Sequence, residues 1–186
     1  PMKLSLCLLT WNEIHGCQHD VPLINREHFE EVYAIDGGST DGSLAVEFLK
    51  ENNVRTLLVK TGPGKLSAQL RMGYAYALRE SYEGIVTIDG NDKDGVDAIP
   101  RFPEELDPGV ALIQGSRFVP GGEAVNTPTV RWLAIKLLHA PVMRWASGFP
   151  YTDTTNGFRG YSRRFLLDPR VQPFRDCFET YELLAY

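Results

Sequence analysis

Five short runs of β-branched and apolar residues recur along this chain, KLSLCLL (3–9), EVYAID (31–36), VRTLLVK (54–60), GIVTID (84–89) and VALIQG (110–115), with longer stretches of helical period between them. Runs of this length and composition read as buried strands. SLAVEFLKEN (43–52) and LSAQLRMGYAYALRE (66–80) carry helical spacing, and in the second Leu66, Leu70, Gly73, Tyr74 and Ala77 fall on one face. Such alternation leaves few architectures open, because parallel strands need crossover elements and the crossovers cover both faces of the sheet. The expected fold is therefore α/β, a single Rossmann-like domain with a mostly parallel sheet flanked by helices. No linker or repeat divides the 186 residues, and 43% hydrophobic with 23% charged residues suits one compact domain.

In a sheet of this kind, ligands bind beyond the carboxyl ends of the strands. Here those ends are loaded with polar groups: Thr10-Trp11-Asn12-Glu13 after the first, Asp36-Gly37-Gly38-Ser39 after the second and Asp89-Gly90-Asn91-Asp92 after the fourth. Any one of them alone reads as turn or cap chemistry; together they point to a site. The Asp36 carboxylate can accept hydrogen bonds from a base N–H or a ribose hydroxyl. Gly37 and Gly38 leave room for a ligand to approach the backbone, and Ser39 and Thr40 can cap a helix starting near Asp41. The arrangement is not GxGxxG, so a dinucleotide fingerprint is not supported. In TIDGNDKDGVDAIP (87–100) the carboxylates of Asp89, Asp92, Asp94 and Asp97 repel one another unless a cation joins them. Asp89 and Asn91 can direct oxygens at one Mg²⁺ or Mn²⁺, completed by diphosphate oxygens.

The net charge of −5 hides an asymmetry, since residues 131–175 carry Arg131, Lys136, Arg144, Arg159, Arg163, Arg164, Arg170 and Arg175 against only Asp153 and Asp168. A basic region on an acidic chain suits an anionic partner such as a phosphate or a membrane surface, or else forms a solvated face. Within it, TVRWLAIKLLHAPVMRWASGF (129–149) places Val130, Ala134, Leu137, Leu138, Val142 and Trp145 on one helical face, with Lys136, His139 and Arg144 away from it. This pattern reads either as an interfacial helix or as a helix packed on the core, and Pro141 should kink or divide it. No stretch approaches the roughly 20 apolar residues of a membrane span, and no signal peptide is visible.

Cys7, Cys17 and Cys177 are odd in number and lack CxxC spacing, which points to a reducing, cytosolic compartment. His15, Cys17, His19 and Asp20 read as part of a connecting loop without a second ligand pair elsewhere, which argues against zinc. Trp11, Tyr33, Tyr74, Tyr76 and Tyr82 read as core and edge aromatics, and the acidic balance argues against nucleic acid as a partner. Pro1 ahead of Met2 reads as an expression scar.

Taken in order, LLTWNE, IDGGSTDGS, GPGKLSAQLRMGYAYA, TIDGNDKD, GSRF, TDTTNGFRGYSRRFL and YELLAY resemble the family 2 glycosyltransferases of GT-A fold, and within them the dolichyl- or polyprenyl-phosphate sugar synthases. The resemblance runs over nearly the whole chain. It implies that Thr10, Asn12, Glu13, Asp36 and Ser39 line the pocket of a sugar nucleotide, UDP- or GDP-linked, with Lys65 near it. Asp89, Gly90 and Asn91 then lie at the metal and diphosphate, with Asp89 and Asn91 as the ligands of Mg²⁺ or Mn²⁺. Arg117, Arg131 and Arg159 match positions that resemble acceptor-phosphate contacts, a role that suits the guanidinium fork. Asp153 organises that loop or, for a hydroxyl acceptor, serves as general base.

The chain departs from the family pattern in having Gly37 after Asp36 in place of a second acid, and Asp89-Gly90-Asn91 in place of Asp-x-Asp; Asp92 or Asp94 could compensate. It also stops at Tyr186 in what reads as mid-helix, so a single catalytic domain over 1–186, truncated at its C-terminus, is expected. The expected activity is inverting, metal-dependent hexose transfer to a polyprenyl phosphate by a peripheral protein at the inner, cytoplasmic membrane face. The alternatives are a saccharide acceptor on the same fold or a non-catalytic nucleotide-binding module. Self-association into a homo-oligomer is left open.

Overall fold

The computed structural model describes residues 2–106, 109–122 and 128–176; of Arg131 it describes the backbone alone, and Cys177 and the YELLAY segment lie outside the described residues. Six strands form one sheet in the order β3-β2-β1-β4-β6-β5. They are β1 (Leu4–Thr10), β2 (Glu31–Asp36), β3 (Thr56–Val59), β4 (Gly84–Asp89), β5 (Leu112–Gln114) and β6 (Arg159–Ser162). The strands β3, β2, β1 and β4 run parallel, while β6 lies antiparallel to both β4 and β5. The five sequence-read runs all hold a strand, in two cases shortened. β6 was not expected; its ArgGlyTyrSer sequence carries no apolar alternation, and pairing on both sides makes it a strand.

The pleat divides each strand between two cores. Leu6 and Leu8 of β1 pack with Cys17, Val21, Val86, Ile88 and Phe102 on one face, whereas Cys7 and Leu9 pack with Tyr33, Tyr74, Ala77, Ile85 and Tyr161 on the other. Helices α1 (Ile14–Asp20), α2 (Val46–Glu51) and α4 (Arg101–Glu105) serve the first core; α3 (Leu66–Arg79) and α7 (Arg163–Leu167) serve the second. On α3 the buried positions are Gln69, Gly73, Tyr74 and Ala77; Leu66, read as the first residue of that face, is exposed because it begins the helix. Gly73 is where α3 meets β1: a Cβ there would lie 3.0 Å from the Cys7 sulfur. The expected helix start near Asp41 is corrected to Val46; Ser39 and Thr40 bond to Asn12 instead of capping α2.

The segment 129–149 is helical but divided, as Pro141 foretold. Helix α5 (Thr129–Ala134) passes into a π segment (Ile135–His139) and then α6 (Ala140–Ser147). The wider turn lets the Ala140 N–H reach the Ile135 carbonyl just before the proline, which has no N–H to donate. Ile135 and Ala140 face the core. The six residues of the sequence-read apolar face do not pack on it: Val130, Leu137, Leu138 and Val142 are exposed, and Trp145 is 88% exposed.

Candidate active site

Register brings the loaded strand ends to one edge. Thr10 of β1 pairs with Asp36 of β2, and Leu9 pairs with Asp89 of β4, so all three polar clusters leave the sheet at the same level. The strand order reverses between β1 and β4, where the first crossovers leave on one side and the next on the other, and such a switch point is where open α/β sheets bind ligands.

On the β1/β2 side the loops are knitted together. The Asp36 carboxylate, buried, accepts from the Gly38 and Ser39 N–H groups at 3.1 and 2.8 Å, which closes a tight turn with Gly38 at φ +99°. The Asn12 N–H donates to Ser39 Oγ at 2.9 Å, and Asn12 Oδ1 accepts from the Thr40 N–H at 2.8 Å. Asn12 itself sits at φ +53°, a left-handed conformation that asparagine tolerates. Asp41 reaches across to accept the Ile14 N–H at 3.0 Å, capping α1 from another loop. Gln69, which the sequence reading passed over, is buried and donates to the carbonyls of Thr10 and Ile35 at 2.9 and 3.0 Å, tying α3 to both strand ends. Lys65 is exposed at the start of α3, and Trp11 stands out at the rim beside Gly37. Thr10 is buried, its hydroxyl beside the Cys17 thiol.

On the β4 side lies a concentration of negative charge. Asp89 is mostly buried, and desolvation, reinforced by Glu13, raises its proton affinity; Lys93 and Arg159 act in the opposite sense. The Asp94 carboxylate accepts the Asp89 N–H at 3.1 Å, and burial, followed by the charge of Asp89, pushes Asp94 up to about 7. Asn91 Oδ1 accepts the Lys93 N–H at 3.2 Å, folding that side chain over its own turn. Two carboxylates held together and poorly solvated are a donor set that fits a divalent cation of the Mg²⁺ or Mn²⁺ type. The second acid missing at Asn91 is thus met in space by Asp94.

Helix α1 packs directly on this loop. A Cβ at Gly16 would clash with the Gly90 carbonyl and come within 2.8 Å of Asn91 Cα. Because both obstacles are backbone, Gly16→Ala is expected to destabilise the protein by about 2 kcal/mol, as overpacking does. It should also displace the Asp89 loop; thermal unfolding of the variant beside the wild type checks the loss.

The remaining basic residues separate by burial. Asp153 is fully buried and accepts from Arg117 Nε and Nη2 at 2.7 and 3.1 Å and from the Thr155 N–H at 3.1 Å. Burial pushes its carboxyl up, but the Arg117 fork and the backbone donors outweigh this and hold it below the usual carboxylate range. Such a group is a poor proton acceptor, and the geometry makes it the holder of Arg117. Arg159 is buried on β6, bonded to Gln114 Oε1 at 2.6 Å, close enough to Asp89 to affect its charge. The Arg131 side chain lies outside the described part. Helix and loop are joined: His139 Nδ1 meets Thr154 Oγ1 at 2.5 Å, Arg144 Nε donates to the Tyr151 carbonyl at 2.6 Å, and Lys136 lies over the Phe118 ring.

The fold with its polar edge is that of the GT-A glycosyltransferases. Glucosyl-3-phosphoglycerate synthase from Mycobacterium tuberculosis, in complex with phosphoglyceric acid, superposes with a TM-score of 0.64 at 18% identity, over 99% of this chain and 68% of that one. The same protein in complex with Mn²⁺, UDP and glucosyl-3-phosphoglycerate gives 0.60 at 20% identity, over 89% and 58%. By sequence the chain is similar to two polyprenyl-phosphate mannosyltransferases. It is 30% identical over 175 residues to the polyprenol monophosphomannose synthase of Mycolicibacterium smegmatis, which aligns with 89% of this chain, and 28% identical over 163 residues to the undecaprenyl-phosphate mannosyltransferase of Micrococcus luteus, which aligns with 86%. It spans 64% and 66% of the lengths of those proteins. No family model matches the chain.

Proposed function

We propose that this chain carries the catalytic site of an enzyme that moves a hexose from a nucleoside-diphosphate sugar to a polyprenyl phosphate, with inversion, while resting on the cytoplasmic face of a membrane. The observation that carries the lipid acceptor is the exposed apolar face of α5 to α6, fastened through His139 and Arg144 to the loop that holds Asp153 and Arg117. An apolar face left in water beside basic side chains suits the interface of an anionic bilayer. Among the described residues no helix is long and apolar enough to cross a membrane.

In this reading Asn12, Asp36 and the Gly37-Gly38 turn receive the nucleoside, and Lys65 stands beside it. Asp89 and Asp94, with Asn91, would hold the cation; when bound, it neutralises charge on the departing diphosphate. Arg117, kept in place by Asp153, and Arg159 on β6 would contact the acceptor phosphate, and Arg131 is the third candidate read from the sequence. A phosphate oxygen, already an anion, attacks the anomeric carbon in line. The bond from that carbon to the diphosphate breaks, and its electron pair leaves with the nucleotide. No general base is required, consistent with the low proton affinity of Asp153.

The test is transfer of labelled hexose from UDP- and GDP-linked donors, with Mg²⁺ or Mn²⁺, to vesicles containing a polyprenyl phosphate, with phosphoglyceric acid and a soluble saccharide as competing acceptors. Label in the lipid fraction supports the proposal; label confined to a soluble acceptor overturns it. Leu137→Glu with Trp145→Glu, on exposed positions, should leave the fold intact and lower vesicle association at least tenfold, roughly 1.4 kcal/mol. Turnover of a short, water-soluble prenyl phosphate should survive in that variant. Vesicle sedimentation and the two assays together separate membrane contact from chemistry.

A further inference from the structure

A second group of metal-ligating side chains lies across the same loop from Asp89, and the donor site makes no use of it. His19 and Asp20 end α1, and Asp92 follows the Asp89-Gly90-Asn91 turn. The sequence argues against zinc here for want of a ligand from elsewhere; the fold supplies that ligand from 72 residues away. His19 Nδ1 lies 2.9 Å from Asp92 Oδ1 and 3.1 Å from Asp20 Oδ1, and ligand atoms of all three residues fall within 4.8 Å of one another. Asp20 is buried, its side chain 2% exposed, in the seam between α1 and the loop, and its second oxygen accepts the Asp92 N–H at 3.0 Å. The side chains of His19 and Asp92 are 60% and 55% exposed, so solvent reaches the open side of the group.

We propose that His19, Asp20 and Asp92 form a second divalent-cation site, selective for ions that accept imidazole, that fastens α1 to the loop bearing Asp89 and Asn91. Tetrahedral coordination with bonds of about 2.0–2.1 Å sets ligand atoms about 3.3 Å apart, so the observed pairs need to spread by only a few tenths of an ångström. Two carboxylates balance a dication, and three protein ligands leave a fourth position for water. One nitrogen with two oxygens suits Zn²⁺ or Co²⁺ better than Mg²⁺ or Ca²⁺, which take oxygen alone. The site is separate from the donor edge: a Cβ on Gly157 would meet the Asp89 carboxylate at 3.5 Å on the β6 side, whereas Asp92 turns toward α1. The backbone of Gly90 and Asn91 is pressed on Gly16 of α1, the helix that ends in His19 and Asp20.

The experiment is a Co²⁺ titration of the whole chain without nucleotide, followed by visible absorption and then by Zn²⁺ displacement. It is run on the wild type and on Asp89→Asn, His19→Ala and His15→Ala. The expected result is one Co²⁺ with the intense bands of a tetrahedral centre, besides any weakly absorbing Co²⁺ at the Asp89 edge, and those bands are kept in Asp89→Asn and His15→Ala and lost on displacement by Zn²⁺. In His19→Ala the affinity should fall by at least about tenfold, since even outer-shell partners of a metal ligand cost 10–100-fold. His19 is largely in solvent, so its truncation does not threaten the fold, and the melting temperature verifies this. Three results would overturn the proposal: no Co²⁺ bound, which leaves His19 as a protonated bridge between two acids; bands lost in Asp89→Asn but kept in His19→Ala, which assigns the ion to the donor edge; or affinity unchanged in His19→Ala.

Discussion

Asp153→Ala is expected to cost the fold about 3 kcal/mol, the low end of what removing one partner of a buried ion pair costs. Asp153 is fully buried and Arg117 is nearly so, its side chain 19% exposed, so the guanidinium left behind has little water to turn to. The loss also frees the Thr155 N–H and the Arg117 N–H, both of which use the same carboxylate. For a chain of 186 residues this corresponds to a fall of about 6–12 °C in melting temperature. Arg117→Met combined with Asp153→Leu should recover part of it, because an apolar pair of similar volume carries no stranded charge. Nucleotide binding at Asn12 and Asp36 should persist in every variant that folds. A midpoint unchanged in Asp153→Ala would show that solvent already screens the pair, and the role assigned to Asp153 as the holder of Arg117 would fall with it.

What the sequence disclosed and what it withheld divide along a physical line. That Thr10, Asp36 and Asp89 lie at one edge was legible because each ends an apolar run, and parallel strands in register bring their ends level. The apolar face at Val130, Leu137, Leu138 and Trp145 was legible as a pattern, but periodicity alone does not say whether such a face meets a core or faces outward; the exposure decided that. β6 was hidden because its pairing with β4 and β5 comes from tertiary contact and not from its own residues. Gln69 reads as a surface residue of a helix until its burial against two carbonyls is known. The cap that Asp41 gives α1, the partnership of Asp94 with Asp89 and the approach of Asp92 to His19 all depend on loop conformation, about which hydrophobic period carries no information.

The charge at the donor edge makes the largest prediction. In the absence of divalent cation the protein is expected to be more stable near pH 5 than near pH 8. Asp94 titrates at 3.8 when unfolded and at about 7 when folded, so between these values the folded state binds more protons and stability falls as pH rises. At 1.36 kcal/mol per unit, and allowing for its partial exposure, Asp94 contributes roughly 2 kcal/mol to that fall. Asp89, also raised, acts in the same direction. His19 is raised too and loses its stabilisation as pH climbs past its ordinary value, so the informative quantity is the difference between wild type and Asp94→Asn, in which the slope should flatten. Mg²⁺ should reverse the trend. At pH 8 a hundredfold excess over its dissociation constant adds about 2.7 kcal/mol, whereas at pH 5 protons compete for the same oxygens. In the proposed reaction these carboxylates would hold the cation that neutralises the leaving diphosphate, so Asp89→Asn should lower transfer by about 10³-fold, roughly 4 kcal/mol, with the exposed helix and its vesicle binding unaffected. Melting curves with and without Mg²⁺ at both pH values test the electrostatics without any substrate. If the wild type shows no pH slope that Asp94→Asn removes, the two carboxylates do not share a field and cannot share a cation.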